Sequence, residues 1–372
     1  MNKILTIIIP TYNMERYLRR CLDSLIIDEE GMMQLEVLVI NDGSKDSSSQ
    51  IAHEYQDKYP DTYKVIDKEN GNYGSCINRG LKEATGKYVK VLDADDTYDN
   101  HSFAEYLNTL KTIDVDVVVT NVVVYNSDGK FTNKWRKDYP VNKIIGIDNM
   151  SDLWIHNTTY SRRVFDGLNY HQTEGISYTD EEFVYFPLRN ARNFYYLPLD
   201  LYCYYLGRDG QTMNIDVWKR NFTQEIIVSK NLLQYWKDNY NKCWPSKNAM
   251  EKKLVAHINH FFHRVLLEFS MSDNEEVEKF DKLLLEMTPD IYKKTGETAI
   301  ADSRLRFKYL EHWRDNFYSF SESNNYFQLY KLISYIREKK LTLKQNIKNR
   351  LGGGNQEVLI NMYPSFEERR AA

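Results

Sequence analysis

No stretch of this 372-residue chain approaches the roughly 20 consecutive apolar residues that a membrane-spanning helix requires. The first apolar run, residues 4–9, is stopped by Pro10; it is too short for the core of a secretory leader, and no small-residue cleavage site follows it. Cysteine is scarce. Cys21, Cys76, Cys203 and Cys243 lie far apart, and no pair has metal-ligand spacing, which argues against a disulfide scaffold and for a reduced protein. There is no surplus of positive charge either: the net charge is −4 and the pI about 6.1, so nucleic acid is not expected as a global partner. The expected location is cytoplasmic.

What is present is the composition of a globular protein, with 42% hydrophobic and 27% charged residues. The length exceeds the roughly 250–300 residues at which one core stops growing, so two domains are the first expectation. Tyrosine is abundant, at 29 residues. Such rings suit stacking on bases or sugars, and equally suit closing a core.

Short apolar runs at 4–9, 36–40, 63–67, 88–92 and 115–120 predict buried strands, and apolar residues at helical spacing predict helices at 15–27, 47–59, 75–84 and 103–111. This alternation predicts an α/β domain with a mostly parallel, Rossmann-like sheet. Ligands bind such sheets outside the carboxyl ends of the strands, where the polar clusters at 11–13, 41–44, 70–74 and 93–96 fall. Further on, 179–188 reads as a helix and 194–206 as an aromatic-rich strand. Helical patterns then follow at 218–235, 250–269, 279–287, 305–313 and 327–341. The expected division is a first domain over 1–215, with halves at 1–98 and 99–215, an α-helical domain over 216–350, and a tail over 351–372 beyond Gly352-Gly353-Gly354.

Asp93-Ala94-Asp95-Asp96 follows the fourth strand directly. Carboxylates one residue apart at a strand end can reach one divalent cation and one ribose together, and hard cations choose carboxylate oxygens while bridging phosphates. A solvated acidic turn is the plain alternative. Asn41-Asp42-Gly43-Ser44 ends the second strand; its aspartate can accept from a pyrimidine N–H, while an ordinary turn with a capping serine would look the same.

Taken with Pro10-Thr11-Tyr12-Asn13, these motifs resemble those of family 2 inverting glycosyltransferases of GT-A fold over about residues 1–210. The resemblance implies a nucleotide-binding half fused to an acceptor-binding half. It implies that Pro10, Thr11, Tyr12 and Asp42 hold the base and ribose of a nucleotide-sugar donor, usually a UDP-sugar, with Asp93 and Ala94 on the same side. Asp95 would ligate Mn²⁺ or Mg²⁺ bridging the diphosphate. Gly71-Asn72-Tyr73-Gly74 and Asn78-Arg79-Gly80 resemble the family's glycine loop, placing Gly74 and Asn78 at the donor; Ile77 stands where many members carry Arg, and Arg79 is a candidate replacement or a solvent-facing helix residue. Tyr178-Thr179-Asp180-Glu181-Glu182-Phe183 fits the family's acidic pair before a helix, giving Asp180 as catalytic base, Glu181 as runner-up, and helix capping by Thr179 as the plain reading.

The implied activity is inverting, metal-dependent transfer of one sugar to an acceptor hydroxyl in polysaccharide or glycan biosynthesis. The acceptor would be a saccharide or lipid-linked saccharide. The Gln-Xaa-Xaa-Arg-Trp signature of the processive synthases is absent. The competing readings are a sugar nucleotidyltransferase, which would need a glycine-rich, arginine-bearing loop after the first strand, and an inactive glycosyltransferase-like binding module. Four features allow more than one use. His257, His260 and His263 read as partly exposed helix-face residues. His156, His171, Trp154 and Tyr160 are acceptor contacts or core. Arg208 reaches the donor phosphates or makes a surface ion pair. The basic amphipathic segment 330–350 is a candidate for peripheral attachment to anionic lipid.

Overall fold

The computed structural model describes residues 3–150, 153–208, 211, 214–297, 309–318, 328, 329 and 332. Ten strands form one sheet: β1 (Leu5–Thr11), β2 (Leu35–Asn41), β3 (Tyr63–Asp67), β4 (Tyr88–Val91), β5 (Thr97–Tyr98), β6 (Val117–Asn126), β7 (Phe131–Trp135), β8 (Ile144–Gly146), β9 (Thr158–Ser161) and β10 (Asn193–Leu206). The order is β3-β2-β1-β4-β9-β6-β10-β5, with β7 on β6 and β8 on β10. The first four strands are parallel, as their continuous apolar runs predict. Beyond β4 the sheet is mixed rather than mostly parallel. β9 runs antiparallel to both β4 and β6, β10 returns parallel to β6, and β5, β7 and β8 add antiparallel pairs. The added strands are short, and β7 and β8 lack the apolar runs that reveal buried strands.

Side chains alternate across the sheet with the period of two that a strand imposes. In β1, Leu5, Ile7 and Ile9 join one buried cluster with Leu18, Leu22, Ile51 and Phe103, whereas Ile8 joins the other. Both faces of β1 are dry. The helix expected at 15–27 is only Leu18–Asp23: the Ser24 N–H bonds back to Arg20 and Cys21, closing the helix, and the Asp28 side chain caps a second short helix, Glu29–Gln34, through the Gly31 N–H.

The cluster containing Ile8 does not stop at the sheet. It continues through Phe183, Phe194 and Trp218 to Phe262, Phe280 and Trp313. Helices Ile215–Asn239, Lys247–Phe262, Glu275–Met287, Pro289–Glu297 and Tyr309–Asp315 therefore share a core with the sheet. The first opens on Asn214, whose side chain accepts from the Asp216 and Val217 N–H groups. The second ends in a π-helical turn, His263–Glu268. The helix expected at 327–341, the basic segment 330–350 and the tail 351–372 fall outside the described residues, apart from 328, 329 and 332. Among the described residues, no helix is long and apolar enough to cross a membrane.

Helix Asn72–Glu83 fixes a second segment beside the sheet. The Asn78 side-chain amide donates to the Gln172 carbonyl at 2.8 Å and to Glu174 at 2.9 Å, and its oxygen accepts from the Gln172 N–H at 2.8 Å. Gly74 makes this approach possible: a Cβ there would lie 2.0 Å from the Thr173 carbonyl oxygen. Gly74→Ala must push backbone from backbone, so a loss of about 1–3 kcal/mol is expected. A thermal melt of the variant beside the parent measures it; an unchanged midpoint would show that the segment yields freely.

Candidate active site

The strand order turns at β1, with β2 on one side and β4 on the other. The crevice outside the carboxyl ends at such a switch point is where open α/β sheets bind ligands. A cavity of about 510 Å³ lies there, lined along one part by Pro10, Thr11, Tyr12, Asp42, Asp93, Ala94 and Asp95. Asp180 lines it too, so segments far apart in the sequence meet at one place.

At the β1 and β2 ends, two loops are cross-tied. The Asn13 side chain, on a residue with φ of 53°, accepts from the Lys45 N–H at 2.8 Å, while the Asn13 N–H donates to Ser44 at 3.0 Å. Gly43 turns with φ of 73°, a conformation that favours glycine. Asp42 is nearly closed off from solvent. Its carboxylate accepts from Lys68 at 2.5 Å and from the Gly71 N–H at 2.9 Å, so it also fastens the loop that begins helix Asn72–Glu83.

The acidic turn after β4 is built differently for each residue. Asp93 accepts from the Tyr73 hydroxyl at 2.8 Å and lies 3.6 Å from His156 Nε2. Asp95 pairs with Arg208, and the Asp95 carbonyl accepts from Arg20 at 2.7 Å. Arg20 stacks on the Tyr205 ring at 3.8 Å. Asp96 is a structural residue: fully buried, it accepts from the Tyr202 hydroxyl and the Tyr205 N–H, both at 2.8 Å, tying β10 to the turn. Burial, with the charges of Asp95 and Asp93 beside it, raises its carboxyl well above the usual range.

Asp180 begins the helix Asp180–Tyr185, after Tyr178, whose φ of 65° is uncommon for a bulky side chain. Thr179 does not cap this helix with its side chain; its hydroxyl accepts from Gln172 Nε2 at 2.9 Å. Burial, with Glu181 next to it, pushes the Asp180 carboxyl up to about 6. Glu181 goes the other way. Burial opposes its charge, but Lys253, at 2.8 Å, overcomes that and holds it below its ordinary value. The two neighbouring acids are thus set apart, the pattern expected where one acid handles protons and the other is a fixed charge.

The remaining expected residues lie elsewhere. Gly74 and Asn78 are not among the lining residues and instead hold the 171–174 segment. Arg79 faces away, in an exposed pair with Glu83 at 3.1 Å. Trp154 packs edge-on against Trp135 at 4.4 Å, and the buried Tyr160 hydroxyl donates to the Val184 carbonyl at 2.6 Å. His171 meets Asn78 at 3.3 Å. Neither Trp154, Tyr160 nor His171 lines the cavity, while His156 and Arg208 do. His257 is not a helix-face residue exposed to water; it is buried and lines the cavity with Glu225 and Arg264. Sequence reasoning missed Tyr73, Glu225 and Arg264. A signal for two of them existed: Glu225 and Arg264 interrupt strongly apolar helical stripes, where a charge is costly without a purpose.

As to a divalent cation, the donors suit one. Side-chain atoms of Asp93, Asp96 and His156 lie within 4.8 Å of one another, and Asp95 lines the same cavity. Carboxylate oxygens with at most one imidazole are the set that Mg²⁺ and Mn²⁺ accept.

Residues 6–168 match the family model for glycosyl transferase family 2. An uncharacterized glycosyltransferase of Mycoplasma genitalium is 41% identical over 102 residues, which are 27% of this chain and 34% of that one. The minor teichoic acid biosynthesis protein GgaB of Bacillus subtilis is 32% identical over 125 residues, 34% of this chain and 14% of GgaB. This chain therefore spans about a third or less of those relatives' length. Among solved structures, S. aureus TarS residues 1–349 in complex with UDP-GlcNAc superposes with a TM-score of 0.61 at 17% identity, over 79% of this chain and 84% of TarS 1–349, a likeness of fold. The matched stretch holds the motifs at 10–13, 41–44, 71–80 and 93–96 and every strand but β10: the chain carries a GT-A fold, and its residues 6–168 match the model of glycosyl transferase family 2.

Proposed function

We propose that this protein transfers a single sugar, with inversion, from a nucleotide-sugar to an acceptor hydroxyl in glycan biosynthesis, with a UDP-sugar as donor and Mn²⁺ or Mg²⁺ as cofactor. One observation carries the reading: Asp42, the Asp93–Asp95 turn and Asp180, from separate segments of the chain, line one cavity at the switch point of the sheet. Thr11, Tyr12 and Asp42 bind the base and ribose. Tyr12 is suited to stack because it is 46% exposed at the rim. Asp93, held by Tyr73, lies toward the donor. Asp95 would hold the cation, with Asp93 and His156 near it; when bound, the cation offsets charge developing on the leaving diphosphate. Arg208, on the same carboxylate, supplies a second positive charge at that end.

Asp180 takes the proton of the attacking hydroxyl. An inverting displacement needs one base on the acceptor side and no covalent intermediate. A carboxyl titrating near 6 is ionised at neutral pH and more basic than an ordinary aspartate, which suits the role. Sugar nucleotidyl transfer is less well served, because the turn after β1 is Tyr12-Asn13-Met14 rather than a glycine-rich cradle for a triphosphate.

Two outcomes follow. Asp180→Asn should lower kcat by about 10²–10⁴-fold, the range for removing a general base, with UDP binding retained. In the parent, the logarithm of kcat/KM should climb with pH and level off above about 6, because the raised pKa keeps the base protonated below that value; a profile flat through pH 6 would remove Asp180 from the role. Separately, Mn²⁺ should enlarge the thermal stabilisation given by UDP-sugars, since a ligand that binds only the folded state raises the melting point. Asp95→Ala should abolish the metal-dependent part of that shift. Pyrophosphate release from a nucleoside triphosphate and a sugar phosphate would instead mark a nucleotidyltransferase.

A further inference from the structure

The cavity does not end at Asp180. Beyond it, the lining passes to Tyr178, Glu181, Glu225, His257 and Arg264. Glu225 comes from helix Ile215–Asn239, His257 from Lys247–Phe262, and Arg264 from the π-helical turn that follows. All three lie outside the stretch matched to the family.

Asp180 is electrostatically coupled to both ends of the cavity. Asp93 and Glu181 both act on Asp180, and Asp180 and Glu181 in turn act on Glu225. Asp180 therefore lies within reach of both the acidic turn after β4 and the helical end. If the donor diphosphate lies at that turn, the far side of the base is where the hydroxyl losing its proton must come from.

Two features of this inner end point to a ligand. Glu225, His257 and Arg264 are each no more than 5% exposed, yet they face a cavity. His257 Nε2 meets the Ser229 hydroxyl at 2.9 Å, while its buried Nδ1 has no hydrogen-bond partner among the described residues. Glu225 Oε2 lies 3.9 Å from Arg264, beyond hydrogen-bond reach. Buried polar atoms are seldom left open without a purpose. Charge then decides the ligand's class. Lys253 is matched by Glu181 at 2.8 Å, while Arg264 faces Glu225, whose carboxyl burial pushes up to about 7, and burial drops His257 to about 4, so the imidazole is neutral. At most part of one positive charge, that of Arg264, is left over, less than a dianionic phosphate needs. A neutral imidazole and a partly protonated carboxyl, which can both donate and accept, beside the Tyr178 ring suit the hydroxyls of an uncharged sugar.

We propose that Glu225, His257 and Arg264, supplied by the C-terminal helices, form the acceptor subsite, and that it takes an uncharged saccharide rather than a phosphorylated one. The inference rests on the donor reading above, and the test separates the two. With the full chain and Mn²⁺, UDP binding is measured by calorimetry. Glycoside binding is measured by saturation-transfer NMR with p-nitrophenyl β-glycosides of glucose, galactose and N-acetylglucosamine, and with glycerol 3-phosphate as the anionic probe. The parent should bind UDP and at least one glycoside. Glu225→Gln and His257→Ala should each weaken glycoside binding at least tenfold while leaving the UDP affinity within twofold. Glu225→Gln keeps the size of the buried side chain, which guards against misfolding, and circular dichroism checks both variants. UDP binding with no glycoside binding, or displacement by glycerol 3-phosphate, overturns the subsite. An equal loss of UDP and glycoside assigns these residues to the donor and also overturns it. A parent that binds no UDP defeats the underlying reading instead.

Discussion

Crowding carboxylates into a space with little water is the constraint on which this structure turns. Asp93, Asp95, Asp180, Glu181 and Glu225 line one cavity, Asp96 lies buried in the same turn as Asp95, and most of them lose hydration there. Like charges in a low dielectric repel, and removing them from water is costly in itself. The fold answers residue by residue. Arg208 meets Asp95, Lys253 meets Glu181 and Arg264 faces Glu225. Asp96 is left with neutral donors, Tyr202 and the Tyr205 N–H, and its carboxyl rises accordingly. Among the described residues, Asp180 meets no Lys or Arg in direct contact, and it is the acid that titrates near 6. Differences in partnering turn chemically similar side chains into an acid that titrates near neutrality, a fixed charge and a structural anchor.

The end of this arrangement built from strand ends is legible in the sequence. Parallel buried strands announce themselves as apolar runs, and a polar cluster at the end of such a run has only one place to go in an open sheet. Strand ends alone therefore bring Thr11, Asp42, Asp93 and Asp95 to one crevice. Gly74 and Asn78 are legible as important but not for their position: a glycine needed for a ligand's approach and a glycine needed for a neighbouring loop's approach look identical in sequence. The antiparallel strands are hidden because β5, β8 and β9 are only two to four residues long.

The helical half is legible as helix, but the surface it packs against is not. Helical periodicity reports which face is buried, not against what. The stripe through Trp218, Phe222, Leu233 and Trp236 fits a free-standing bundle as well as a helix laid against the sheet. The informative residues are those that break the stripe. Glu225 on that face, Lys253 beside Leu254 and Arg264 beside Val265 each place charge where the pattern asks for carbon. His257 carries a weaker version of the same signal, since histidine is tolerated on partly exposed faces.

One hydrophobic cluster runs from Ile8, in the middle of β1, to Trp313. Cutting the chain at the boundary suggested by its family match would remove the far wall of the cavity and strip one face of the sheet at once. A fragment that keeps both the cavity and the covered sheet must therefore reach past Arg264. The cavity is then more readily reshaped by changing side chains on helices already in place than by exchanging the helical half for another.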